Sequence, residues 1–136
     1  MGRPGKRSFR IVTGDAILDI TGVNGPSIRH DLEKRDITIN AMAIELASGT
    51  LRDWVEGQKD LGEKRIRMVS AESFRSDPVR LLRAFRLAAA LGFSIENQTV
   101  SAISRDASLI HHSAGERIRS ELFQLFSSNV WIFDMF

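Results

Sequence analysis

Cysteine is absent from this 136-residue sequence. That excludes a disulfide framework and any thiolate metal site. No apolar run approaches the roughly 18 residues that a membrane-spanning helix needs, so no span is expected. The opening MGRPGKRSFR is basic, but no apolar stretch follows it, so it does not read as a secretory signal. A cytoplasmic protein is the expectation. Histidine is scarce: there are three, and His111 and His112 are adjacent, so they cannot share a helix face. A hydrolase triad or a histidine metal site has no support, and these read as ordinary surface residues. Internal repeats and low-complexity tracts are also missing.

What is present bounds the protein to one domain or two small lobes. A chain of this length buries roughly two thirds of its unfolded surface, enough for a core. Net charge is only +2, weak evidence for an acidic partner. The distribution is more telling: Arg3, Lys6, Arg7 and Arg10 crowd the start, and Arg75, Arg80, Arg83 and Arg86 crowd a later helix. A phosphate-binding surface and a solvated face both fit, and charge alone favours the solvated face.

Residues 8–21, SFRIVTGDAILDIT, predict two short strands around Thr13-Gly14-Asp15, because Ile, Val and Thr flank a turn pair. GVNGPSIRH predicts a loop and DLEKRD a short helical turn. AMAIEL and TLRDWV, on either side of ASG, predict a second hairpin. EGQKDLGEKRIRMVS reads as a polar connector. From residue 71 the pattern turns helical. SDPVRLLRAFRLAAALG places Asp77 as N-cap, Pro78 at the first helical position and Gly92 past the end. Val79, Leu82, Phe85 and Ala89 share one face, which Leu81 and Ala88 widen. NQTVSAISRDASLI predicts a further helix. SAGERIRSELFQLF opens with Ser113 and Glu116 at capping-box spacing, followed by apolar Ile118, Leu122 and Leu125. The fold class is therefore α+β: a β-rich part over 1–70 and an all-helical part over 71–136.

Three groups of polar residues could carry chemistry, and each has an ordinary structural reading beside it. Asp19 lies between Leu18 and Ile20 on a strand, so its side chain points to the opposite face. It is either a solvent-facing carboxylate or a metal-binding one presented on a sheet. Arg35, Asp36 and Asn40 put a fork, an acceptor and an amide on one short stretch; Arg suits phosphate oxygens and an ionised Asp suits a ribose hydroxyl. A helix-end salt bridge is the alternative. Asp77 and Arg80 are three apart. They could match the donor and acceptor pattern of a base edge, or form an N-cap with a local ion pair.

Four segments together carry a resemblance. DLEKRDITINAMAIE resembles the DLxRRDFTINAMA signature of the class II tRNA nucleotidyltransferase and bacterial poly(A) polymerase family. GQKDL…RIR resembles its GGxxDLxxxxIR. SFRSDPVRLLRAFRLAAALGFSI resembles its FxEDPxRLLRAxRFAAxLGF, and ERIRSELFQL its ERIxxEL. Order and spacing agree over about residues 9–128, and several motifs in order are far more specific than one. The resemblance implies a partial nucleotidyltransferase head, or palm, with an antiparallel-rich sheet and short helices over 1–70, followed by a helical neck over 71–136. It implies that Arg35 contacts the triphosphate, Asp36 the ribose, Asn40 supports the phosphates, and Asp77 and Arg80 read the base edge in place of a template. Asp19 matches the third carboxylate of the palm, a catalytic position. Ile37 stands for the usual Phe, Ser76 for an acid, and Trp54 and Glu56 for the frequent Pro and Gly.

One family feature is absent. The family's Gly-Gly loop and paired Asp-x-Asp bind the catalytic metals, and no two aspartates here stand two apart. Asp15 and Asp19 would be about 13 Å apart along a strand, whereas a two-metal site gathers carboxylates around ions about 3.5–4 Å apart. No metal site is expected to be complete in these residues. The expectation is a fragment lacking also the C-terminal body and tail, with SSNVWIFDMF as a divergent or interrupted end. The full enzyme would use Mg²⁺ to add CMP or AMP from CTP or ATP to an RNA 3′ end, with tRNA the expected RNA and neither membrane nor DNA a partner. A non-catalytic nucleotide- or RNA-binding module is the alternative.

Overall fold

The structure is a computed structural model, and it describes residues 8–127. Arg3, Lys6, Arg7 and the terminal segment from Ser128 lie outside the described residues. The chain forms two compact units, one up to Asp31 and the other from Leu32 onward.

In the first unit β1 (Ser8–Val12) pairs antiparallel with β2 (Ile17–Thr21). The Thr13 N–H closes the turn on the Ala16 carbonyl at 2.8 Å. The register sorts the side chains. Phe9 opposes Ile20 and Ile11 opposes Leu18 on one face; Arg10 opposes Asp19 on the other. The loop after β2 ends at Ser27, whose Oγ accepts the His30 N–H at 3.2 Å. That starts α1 (Ile28–Glu33) a few residues earlier than the charged run predicts.

The second unit begins within α1. The backbone of Asp36, Ile37 and Thr38 runs beside Arg67, Met68 and Val69: Thr38 N–H donates to Arg67 O and Val69 N–H to Asp36 O. A 3-10 turn, Thr38–Asn40, follows. The second predicted hairpin is present as β3 (Met42–Ile44) and β4 (Leu51–Asp53). One helix interrupts what reads as connector, and a short one opens the predicted helical part. α2 (Gly57–Gly62) is held at its start by Asp53, whose carboxylate accepts from Val55, Gly57 and Gln58 N–H groups. Burial pushes the Asp53 pKa up, yet these amides hold it below the usual carboxylate value. Gly57 is obligatory for packing, because a Cβ there would lie 2.4 Å from the Thr38 carbonyl oxygen. α3 (Ala71–Ser76) is capped by Ser70, whose side chain accepts from Ser73 N–H.

α4 (Val79–Leu91) starts one residue after its predicted position, with Pro78 already at φ −63°. It stops at Gly92, which takes φ +65° as a C-terminal glycine does. Its deepest residues are Val79, Leu81, Ala84, Ala88 and Ala89. The buried stripe is therefore turned from the predicted one, with Leu82 and Phe85 at its half-buried margin. α5 (Asn97–Asp106) and α6 (Gly115–Ser127) complete the helical half. The capping box at Ser113 does not form. Ser113 Oγ is buried without a hydrogen bond, and the Ala114 carbonyl receives the first helical N–H groups. A 3-10 segment, Ala107–His112, runs up to Ser113 and leaves it extended, at ψ 149°.

Between α4 and α5 the chain passes through β6 (Ser94–Ile95), which pairs parallel with β5 (Arg65–Ile66). The described residues thus hold three two-stranded sheets, two antiparallel and one parallel, not one continuous palm sheet. The α+β class holds. One core joins Ile37 and Ile66 to Phe74, Leu81, Ala84, Ala88, Ala102 and Ile103. It runs across the strand-to-helix change near residue 70. Ile37, at the position usual for Phe, is fully buried in it.

Candidate nucleotide-binding site

The site is built where the start of α4 meets the turn Lys34–Asp36. Arg80, in the first turn of α4, donates from Nη1 to the Lys34 carbonyl at 3.0 Å and to the Ser73 carbonyl at 3.1 Å. One nitrogen of its fork is thus spent on fixing helix to turn. One helical turn on, Arg83 Nε lies 3.0 Å from Asp36 Oδ2. Asp36 is only 5% exposed. Its Oδ1 accepts the Ile37 N–H at 2.9 Å. Its Oδ2 makes no hydrogen bond, because the Arg83 contact is close enough for charge but not aligned for donation.

Asp77 stands at the mouth of α4. Arg117, from α6, grips it with both guanidinium ends, Nη1 at 3.0 Å and Nη2 at 2.8 Å. The Arg80 Nε is 3.7 Å from Asp77 Oδ2. The Arg117 hydrogen bonds, helped by the nearby charges of Arg117 and Arg80, hold the Asp77 carboxyl below its usual pKa. An ionised carboxylate has about four lone-pair sites, so two donors from Arg117 leave acceptor capacity for a base amino group.

Asn40 closes the 3-10 turn, its N–H bonded to Ile37 O at 3.0 Å. A buried network fixes that turn. Thr38 Oγ1 donates to Asp60 Oδ2 at 2.7 Å, and Arg67 Nε to the same oxygen at 2.8 Å. Asp60 is 1% exposed, so its charge is tolerable only with these partners.

Arg35, Asp36, Asn40, Asp77 and Arg80 all belong to the second unit, where the contacts described join Arg80 to Asp77 and to the Lys34 carbonyl. Asp19 belongs to the first unit. There it faces Arg10 in a bidentate pair at 2.7 and 2.9 Å, and the Arg10 hydrogen bonds lower its pKa. Three supporting residues were not assigned a site role from sequence, although each lies in a quoted motif: Arg83, Arg117 and Asp60. Arg83 had a signal, its position one helical turn from Arg80. Arg117 stands in the quoted ERIRSEL segment, but nothing in the sequence ties it to Asp77, 40 residues away. The crowded arginines of the helical half are not a bare basic patch. Arg75 pairs with Asp106, Arg80 with Asp77, Arg83 with Asp36, and Arg86 with Glu121 across α4 and α6. Among the described residues no group of three or more His, Cys, Asp or Glu could hold a metal ion. The Mg²⁺ expected of the full enzyme would therefore need carboxylates beyond those described. No helix among them is long and apolar enough to cross a membrane.

Comparison with known proteins bears on the family and the fold. Residues 7–67 match the model of the poly A polymerase head domain. Residues 92–132 match that of the probable RNA and SrmB-binding site of polymerase A. The chain is 44% identical over 110 residues to the CC-adding tRNA nucleotidyltransferase of Geobacter sulfurreducens, covering 81% of this chain and 26% of that one. It is 41% identical over 101 residues to poly(A) polymerase I of Escherichia coli, covering 73% of this chain and 22% of that one. Among solved structures, a CCA-adding enzyme in complex with ATP superposes with a TM-score of 0.82 at 34% identity, over 91% of this chain and 31% of that one. The fold and its motifs are thus those of a nucleotidyltransferase head joined to a helical segment. The chain belongs to the family of CCA-adding enzymes and bacterial poly(A) polymerases. It spans about a quarter of the length of the curated relatives it matches.

Proposed function

We propose that these residues form the nucleotide-selecting part, palm portion and neck, of a template-independent RNA nucleotidyltransferase that adds CMP or AMP from CTP or ATP to an RNA 3′ end, tRNA first among them. The observation that carries this reading is the clamp between α4 and the Lys34–Asp36 turn. It supports the reading because Arg80, beside Asp77, is fixed to the turn that carries Arg35 and Asp36. Arg35 holds the triphosphate, Asp36 accepts from the ribose, Asn40 supports the phosphates, and Asp77 and Arg80 present one acceptor edge and one donor fork to the base. Reading by protein groups explains how a nucleotide is chosen with no template strand.

Transfer needs Mg²⁺ held by the family's Asp-x-Asp carboxylates, a motif these 136 residues do not contain. Asp19 is the carboxylate these residues would contribute there, and it is paired with Arg10. The chain by itself binds ATP and CTP weakly and does not extend RNA. Calorimetry of ATP and CTP binding, with incorporation of labelled nucleotide into a tRNA lacking its 3′ end, tests both parts. Arg80→Ala weakens binding by about 1–3 kcal/mol, as expected for a hydrogen bond to or from a charged group. Robust incorporation by the purified chain would overturn the second part, and unchanged affinity in Arg80→Ala would overturn the base-reading role.

A further inference from the structure

We infer that Arg83 is a positioning residue that makes the site prefer a ribonucleotide to a deoxyribonucleotide, acting through Asp36. The inference rests on the nucleotide-binding reading above. Asp36 is an almost wholly buried carboxylate, and only one of its oxygens has a hydrogen-bond donor, the Ile37 amide. A buried carboxylate oxygen without a donor is expensive unless a counter-charge stands beside it. Arg83 Nε supplies that charge at 3.0 Å to Oδ2. It does so without spending the oxygen's acceptor capacity, since the contact is not aligned as a hydrogen bond.

This combination suits a hydroxyl donor. Coulomb attraction has no strict angular demand, whereas a hydrogen bond does. Arg83 can therefore keep the carboxylate in place and charge-balanced while a ribose O–H takes the directional site on Oδ2. The Arg83 side chain is 45% exposed, so its outer part can turn aside as the sugar enters. Asp36 itself cannot follow: its carbonyl is bound by Val69 N–H and its Oδ1 by Ile37 N–H. A deoxyribose offers one hydroxyl fewer and leaves the held oxygen without a donor.

The test compares ATP with dATP by calorimetry on the full chain and on Asp36→Asn, Arg83→Met, Arg83→Gln and Arg83→Lys. The wild type favours ATP by about 10- to 100-fold, the span of one hydrogen bond to a charged group. Asp36→Asn loses the preference. Arg83→Met loses it too, through weaker ATP binding with dATP binding unchanged, and Arg83→Lys keeps much of it because the charge remains. A purely structural role for Arg83 would weaken both nucleotides alike and leave the ratio intact. That result, or a preserved ratio in Arg83→Met, overturns the inference while Asp36→Asn still reports on the site. Should Arg83→Met fail to fold, the Gln and Lys pair decides: Gln must lose the preference and Lys retain it. A wild type without any preference, or a preference that survives in Asp36→Asn, overturns instead the ribose role of Asp36 on which the inference stands.

Discussion

The hairpin of the first unit and the helical core of the second use the same apolar residue types to opposite effect. In the hairpin, Phe9, Ile11, Leu18 and Ile20 form a complete apolar face, yet each is 45–59% exposed. In the second unit Ile37, Ile66, Phe74 and Ala84 are 0% exposed. Pairing alone does not bury a strand. A two-stranded ribbon satisfies its inner hydrogen bonds but leaves both faces open, so it is marginal by itself. Helices stack, and α3, α4 and α5 seal one another together with the Ile37 and Ile66 strands. Stability and the candidate site both reside where packing closes.

The largest test of this contrast is truncation on each side. Phe74→Ala should cost about 3–5 kcal/mol in urea unfolding, while Ile11→Ala should cost less than about 0.5 kcal/mol. A loss at Ile11 comparable to that at Phe74 would show that the hairpin face is covered in solution. Next in size is Gly57→Ala, which drives a methyl onto the Thr38 carbonyl and should cost about 1–3 kcal/mol. Because that carbonyl belongs to the Asn40 turn, ATP affinity should fall with it. A neutral result on both counts would mean that α2 and the turn are loosely joined.

Smaller effects sharpen the comparison within the second unit. Glu56 stands at φ 61°, in the left-handed region, where the family frequently has Gly. Glu56→Gly should raise stability by about 1 kcal/mol, as relief of that conformation outweighs exposed ion pairs to Lys59 and Arg67. The Asp77–Arg117 pair should contribute less than about 1 kcal/mol, since it is largely solvent-screened. Its sign with pH is fixed: the folded pKa of Asp77 is lowered, so the contribution is complete above about pH 4 and is lost as pH falls through the folded value. Arg117→Met should flatten the stability curve in that acid range, and an unchanged curve would deny the pair any role. Smallest is Asp19→Ala, which removes an exposed pair with Arg10 and should leave both stability and metal-free ATP binding within measurement error.

Much of the local structure was legible in the residues themselves. The hairpin of β1 and β2 follows from β-branched runs around Thr13-Gly14-Asp15, and α4 from Pro78 before it and Gly92 after it. α2 was not legible. Its glycines and polar residues suit a connector, and it is helical because Asp53 accepts from its first N–H groups. α3 falls where the pattern turns helical, but its separation from α4 was not legible. The Ser113 capping box failed for a related reason: the preceding 3-10 segment, not the local motif, set where α6 could begin.

The sequence by itself determined the motifs, their order and the residue types of the site, because these depend on chemistry and on spacings within a turn or two of helix. Only the tertiary structure decided which of those residues work together. Arg80 reaches a carbonyl 46 residues away and Arg117 a carboxylate 40 residues away, and β5 finds β6 in parallel across α3 and α4. Propensity and periodicity act only between near neighbours along the chain. Contacts at such separations arise when burial of one shared core sets the helices and strands at fixed distances, and the charged groups at their margins then take whichever partners that packing presents.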